Sequence, residues 1–142
     1  MMECKLYTGS DWDALTDIWL EASVRAHDFI PSSFWEASKQ DMKEIYLPHS
    51  EVYIVEDKGK VLGFSAMVDD TLAALFVHPS HQGKGIGSLL LSELKKKYSH
   101  IQLNVYKKNH SAVQFYTQKS FKVISEGIDE RTGEEEYTMA LQ

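Results

Sequence analysis

Residues 75–98 read LFVHPSHQGKGIGSLLLSELKKKY, with glycines at 83, 85 and 87 between an apolar run and a helical pattern. A helix beginning there exposes first-turn N–H groups that have no internal partner. The helix dipole adds positive potential, so the end attracts an anion. Glycine lets the backbone approach a phosphate closely and point successive N–H groups inward. Lys84 adds a charge and Ser88 a hydroxyl. The spacing narrows the ligand. G-x-x-x-x-G-K-[ST] is absent because Lys84 stands between glycines, and G-x-G-x-x-G from Gly83 fails at Ser88. What remains is Q-x-x-G-x-G, formed by Gln82, Gly85 and Gly87. The plain alternative is a connector with no ligand. Each glycine costs a helix about 1 kcal/mol, which argues against three of them at one N-terminus without a purpose.

Other reactive side chains are less pointed. His78 and His81 flank Pro79 at a metal-like spacing, but no companion ligand set accompanies them, so no metal is expected. His27, in RAHDFI, has the ordinary pKa of a neutral-pH base, or is a helix-terminal histidine set against the dipole. Tyr116 lies four positions after Ala112 and three after Val113, so it faces inward with them. Residues 83–122 hold eight lysines and one acid, a net +7 in a chain of net charge −6. Two readings stay open for that block: an anion-binding half, or solvated helix faces. A chain this acidic excludes double-stranded nucleic acid as the expected partner.

The elements that must carry these residues are legible in outline. CKLYT reads as a first strand, and residues 10–25 as a helix with Trp12, Leu15, Ile18, Trp19 and Ala22 on one face, started by Ser10. Pro31 interrupts, and a second helix runs over 33–46. EVYIVED, KVLGFSAMV and LAALFV are strands; the glycine helix follows to about Tyr98. IQLNV, HSAVQFYTQK, FKVISE and EYTMAL complete the chain as strand, helix, strand and strand. Three successive strands preclude a purely alternating doubly wound fold, which leaves an α+β fold of mixed αβα layers with helices on both sheet faces. At 142 residues and 43% hydrophobic content, residues 1–142 suit one domain. No apolar run approaches a membrane span. The N-terminus has no secretory pattern and Cys4 is the lone cysteine, so the expected location is the cytoplasm.

LFVHPSHQGKGIGSLLL and LNVYKKNHSAVQFYTQKSFK, together with the element order, resemble the GNAT N-acetyltransferase superfamily, especially its small bacterial members. The second stretch supplies Asn109, Ala112, Tyr116 and Phe121, with Ser120 where the family more often has glycine. The resemblance implies a mostly antiparallel twisted sheet of about seven strands, splayed between strands four and five. It implies acetyl-CoA as acetyl donor. Backbone N–H groups of Gly83, Lys84, Gly85, Ile86, Gly87 and Ser88 would hold the pyrophosphate, with Gln82 in the motif. The pantetheine arm would pair with backbone near Phe76 and Val77, and Asn109 would bond the cofactor arm.

The same resemblance casts Tyr116 as general acid to the leaving thiolate. Some family members carry a glutamate base near the start of strand five, where this chain has Asn104, which leaves His27 as the candidate base. The family's acceptor wall falls on Phe29, Phe34 and Trp35, which, with Asp28 nearby, suits a cationic amine. Deprotonation is a real requirement: an amine of pKa about 10.4 is neutral roughly once in 2,500 molecules at pH 7. The expected activity is direct attack of a primary amine on acetyl-CoA. The alternatives are a non-catalytic acyl-CoA sensor of the same fold, and an interaction domain with no cofactor. The last strands offer edges for pairing between subunits, and nothing in them sets the oligomeric state.

Overall fold

The computed structural model describes residues 1–141. In chain order the elements are β1 (Glu3–Leu6), α1 (Asp13–Ala26), α2 (Ser32–Asp41), β2 (Glu51–Asp57), β3 (Lys60–Val68) and β4 (Thr71–Val77). There follow α3 (Ile86–Lys97), β5 (Ile101–Tyr106), α4 (His110–Gln118), β6 (Lys122–Asp129) and β7 (Glu134–Leu141). The strands form one sheet in the order β1-β2-β3-β4-β5-β7-β6. Every neighbouring pair is antiparallel except β4 and β5, which run parallel. This is the expected mixed sheet. The last strand inserts between β5 and β6, so β6 becomes the edge. Among the described residues no helix is long and apolar enough to cross a membrane.

Helices cover both faces. Leu15, Ile18 and Trp19 of α1 and Trp35 of α2 pack on Val52, Ile54, Phe64, Ala66 and Ala74. On the opposite face Leu91 and Leu94 of α3 and Tyr116 of α4 pack on Met67, Leu103, Val105 and Met139. The central strand β3 is therefore buried continuously from Leu62 to Met67, with no polar side to alternate against. The β2–β3 hairpin turns through Lys58 (φ 53°) and Gly59 (φ 77°), the paired positive angles of a tight hairpin.

Two helix boundaries differ from the sequence expectation. Helix α1 starts at Asp13 rather than Ser10: Tyr7 donates its hydroxyl to the Asp11 carbonyl, and the Asp11 carboxylate accepts the Asp13 N–H at 3.1 Å, holding that stretch as a turn. The second helix ends its regular course at Asp41 and continues as one widened turn over Met42–Tyr46, closed by Leu47 N–H to the Met42 carbonyl at 3.0 Å.

The end of α4 is built with care. Phe121 N–H reaches the Tyr116 carbonyl at 3.0 Å and Ser120 N–H the Thr117 carbonyl at 3.1 Å, the two bonds of a Schellman cap. The Phe121 and Tyr116 rings meet at 5.4 Å, the apolar contact that goes with it. This cap needs a left-handed residue, and Ser120 supplies it at φ 76°, where glycine pays no Cβ penalty. We expect Ser120→Gly to stabilise the protein by about 1 kcal/mol in urea unfolding, net of glycine's extra unfolded-state freedom. An unchanged or lowered midpoint would mean that the serine angle carries no strain.

Candidate active site

Strands β4 and β5 are aligned at one place among the described residues, Thr71 opposite Gln102, where Gln102 N–H also donates to the Asp70 carbonyl at 3.0 Å. Beyond it they diverge and open a slot inside the sheet. His78 N–H donates to the Leu62 carbonyl at 2.8 Å, and Val77 stands opposite Gly63. By strand alternation Val77 turns its own N–H and C=O away from β3 and into the slot, whereas those of Phe76 belong to β3. The Gln82 side-chain amide reaches the Val77 carbonyl at 3.4 Å.

At the mouth of the slot α3 begins. Gly83 and Gly85 both sit at φ 80°, and Gly85 is the residue from which the helix starts. A Cβ at either would meet nothing within 4 Å, so the local chain requires glycine there for backbone conformation. Gly87 differs: its Cβ would lie 3.4 Å from the Phe115 ring. Ile86 turns into the core at 1% exposure, and Ser88 is half-buried in the first turn. Lys84 leans back, its Nζ 3.0 Å from His81 Nδ1. Sequence reasoning missed Gly63, whose Cβ would come within 2.9 Å of both the Phe76 carbonyl oxygen and Ile86. Its signal was a glycine inside an otherwise apolar strand, which marks close backbone approach.

Tyr116 is buried on the α3–α4 side of the sheet, against Phe115 and Phe121 and in one cluster with Leu103 and Val105. Burial alone pushes its phenol above the usual tyrosine value, with no charge to offset it. Asn109 starts α4 and accepts the Ala112 N–H on Oδ1 at 3.3 Å. That fixes the amide's orientation, and its Nδ2 then faces His27 Nε2 at 3.2 Å. His27 therefore accepts at Nε2 and carries its proton on Nδ1. The imidazole is 7% exposed, stacked on Trp35 at 5.0 Å and 29°, with the rings of Phe29 and Tyr106 edge-on. Burial lowers its pKa to about 4, opposed in part by the Ser23 backbone carbonyl. The link between His27 and Asn109, 82 residues apart, left no mark in the sequence.

The break between α1 and α2 faces the β6–β7 turn across a cleft of about 310 Å³, lined by Phe29, Ile30, Pro31, Phe34, Arg131 and Thr132 among others. Of the three aromatics, Phe29 and Phe34 line this cleft and Trp35 lies behind it, at 7% exposure. Tyr106 donates its hydroxyl to Asp129 Oδ2 at 2.6 Å, and Arg131 grips the same carboxylate with Nε and Nη2, both at 3.2 Å. The sequence reading gives none of these three residues a part in the site. Asn104, on the same sheet face, accepts from Thr138 Oγ1 at 2.8 Å. The basic block is in good part neutralised: Lys97 pairs with Glu51 at 2.8 Å, Lys107 with Glu126 and Glu135, and Lys108 with Glu134 at 3.1 Å. Among the described residues no group of three or more His, Cys, Asp or Glu is placed to hold a metal ion.

Residues 48–123 match the model of the acetyltransferase (GNAT) domain. The chain is 32% identical over 116 residues to peptidyl-lysine N-acetyltransferase YiaC of Escherichia coli K12, covering 81% of this chain and 80% of that one. Its fold is similar to the solution structure of apo YjaB from Escherichia coli, with a TM-score of 0.86 at 21% identity, covering 99% of this chain and 97% of that one. It is also similar to a PaiA N-acetyltransferase from Thermoplasma acidophilum in complex with coenzyme A, with a TM-score of 0.83 at 20% identity, covering 100% and 99% of the two chains. With the family model spanning more than half of its length and that level of identity to a relative, this chain belongs to the GNAT acetyltransferases and is an acetyl-CoA-dependent N-acetyltransferase.

Proposed function

We propose that the protein acetylates the side-chain amine of lysine in a peptide or protein, with Tyr116 as general acid. The observation that carries the reading is the slot between β4 and β5, opening onto the left-handed glycines that start α3. Bound there, acetyl-CoA supplies the activated thioester. The first-turn N–H groups of α3 face a diphosphate at this position, and the Val77 N–H, turned away from β3, faces an extended arm. The peptidyl-lysine acceptor is taken from the printed name of the similar Escherichia coli protein.

Tyr116 suits its role because burial keeps the phenol protonated. It therefore holds a proton to give to a departing thiolate and carries no negative charge to repel one. His27 suits a different role from the base that its residue type suggested. At a pKa of about 4 it is neutral at pH 7, and roughly six units weaker as a base than the lysine amine it would deprotonate. We assign it to the inner wall of the acceptor site, anchored through Asn109, and give proton loss from the amine to solvent at the open cleft. Asn109 then serves α4 and His27 with the same amide that was expected to reach the cofactor arm. A second reading, an acyl-CoA sensor without turnover, is favoured by one observation: Asn104, engaged with Thr138, cannot take a proton where some relatives of this fold have a carboxylate.

Three outcomes test this. Tyr116→Phe should lower turnover by roughly 10²–10⁴-fold in a thiol-release assay with a lysine peptide while acetyl-CoA binding by calorimetry is kept. Equal rates in the two proteins reject Tyr116, and no thiol release from wild type with any amine favours the sensor. Gly85→Glu should abolish acetyl-CoA binding, since it forces a side chain and a negative charge onto a φ of 80° beside the pyrophosphate; retained micromolar affinity would misplace the site. The third outcome concerns pH. His27 unfolded titrates near 6.5 and folded near 4, so the unfolded chain binds more protons between them. Its contribution is complete above about pH 6.5 and falls away towards pH 4, by up to about 3 kcal/mol. Urea titrations at several pH values should show that slope in wild type and its loss in His27→Phe; parallel slopes would contradict the assignment.

A further inference from the structure

The acceptor cleft carries a charge pattern that an amine alone does not explain. Its walls are apolar on one side, from Phe29, Ile30, Pro31 and Phe34, and Arg131 is the charged residue among those lining it. Arg131 is held in place from behind. Its Nε and Nη2 both rest on Asp129, and its backbone N–H donates to the same carboxylate at 3.1 Å. Asp129 is 8% exposed and is itself fixed by the Tyr106 hydroxyl. The guanidinium carbon lies 6.0 Å from the centre of the Phe34 ring. The Arg131 side chain is nevertheless 70% exposed, so the edge turned away from Asp129 is open. On the other side Lys108 sets its Nζ 5.6 Å from the centre of the Phe29 ring. Both aromatic walls thus already carry a cation of the chain's own. Asp28, the acid of the α1–α2 loop, is exposed and does not line the cleft.

We propose that this cleft selects acceptors carrying a carboxylate beside the reacting lysine, read by the outward N–H groups of Arg131. The inference rests on the lysine acceptor proposed above and names its sequence context. A guanidinium braced along one edge by a buried carboxylate loses little freedom when its other edge accepts a second one. The buried charge of Asp129 cancels part of the field but offers nothing to a ligand, because its oxygens are already occupied. Lys108 does not line the cleft and is paired with Glu134 at 3.1 Å, so the open guanidinium edge of Arg131 is the contact on which the reading rests. The carboxylate comes either from an Asp or Glu side chain next to the lysine or from a main-chain terminus directly after it.

The test is kcat/KM on short peptides with one lysine, both ends blocked, and Glu, Gln or Lys at the neighbouring position. Two further peptides end in that lysine, one amidated and one with a free carboxylate. The expected result is a preference for Glu over Gln of roughly tenfold, carried by KM, with Lys poorest. Arg131→Gln should bring the Glu peptide down to the Gln peptide. Arg131→Lys, which keeps charge without the fork, should retain part of the preference, and it guards against a turn that has failed to fold. A free-acid advantage without a Glu advantage would assign the carboxylate to the peptide terminus, within the proposal. Equal rates for Glu and Gln peptides together with no free-acid advantage, or an unchanged preference in Arg131→Gln, overturn the carboxylate reading and leave the lysine acceptor standing. Failure to acetylate any of these peptides, while a non-peptide amine releases thiol, overturns both.

Discussion

Two parallel strands that touch once and then separate are the constraint around which this molecule is arranged. A sheet gains from pairing every backbone group, and here the middle of the sheet gives that up beyond Thr71 and Gln102. The loss is tolerable because the cover on both faces is continuous. Leu91 and Leu94 close one face, and the α1–α2 pair closes the other with Leu15, Ile18, Trp19 and Trp35. The hydrophobic effect holds the two halves of the sheet together where hydrogen bonds do not.

The groups around the slot are kept in position by packing that has other business as well. Gly63 lets Ile86 seat against β3 and β4, so the start of α3 is fixed by a contact on a different strand. Phe115 closes over Gly87 from α4. Tyr116 is clamped by the hydrogen bonds that end its own helix and by the Phe121 ring. The start of α3 is thus braced from β3 and from α4, by residues distant in the sequence. That rigidity is what positioning within a fraction of an ångström requires.

The local part of this design was readable and the long-range part was not. A glycine cluster after an apolar run announces a helix start whatever the rest of the chain does, and the structure places Gly83 and Gly85 at left-handed angles there. The inward face of Tyr116 followed from helical spacing. The pairing of β7 with β5 did not follow, because strand order depends on contacts between residues far apart in the chain. Nothing in the local sequence announces the fork of Arg131 on Asp129, and the approach of Asn109 to His27 spans most of the chain. The uneven charge was legible and its meaning was not: much of the apparent basic half is spent on acids brought alongside by the sheet.

One amide joins the two sides of the site. Asn109 starts the helix that bears Tyr116 and, through Nδ2, holds the imidazole stacked on Trp35. A ligand that draws this amide towards the slot releases His27 Nε2, and a change at the acceptor wall is felt in turn at the first turn of α4. Linkage makes such an effect mutual: on the site proposed above, whatever shifts this amide from one side shifts it for the other. A coupling of that kind would run through one side chain held at the start of a helix.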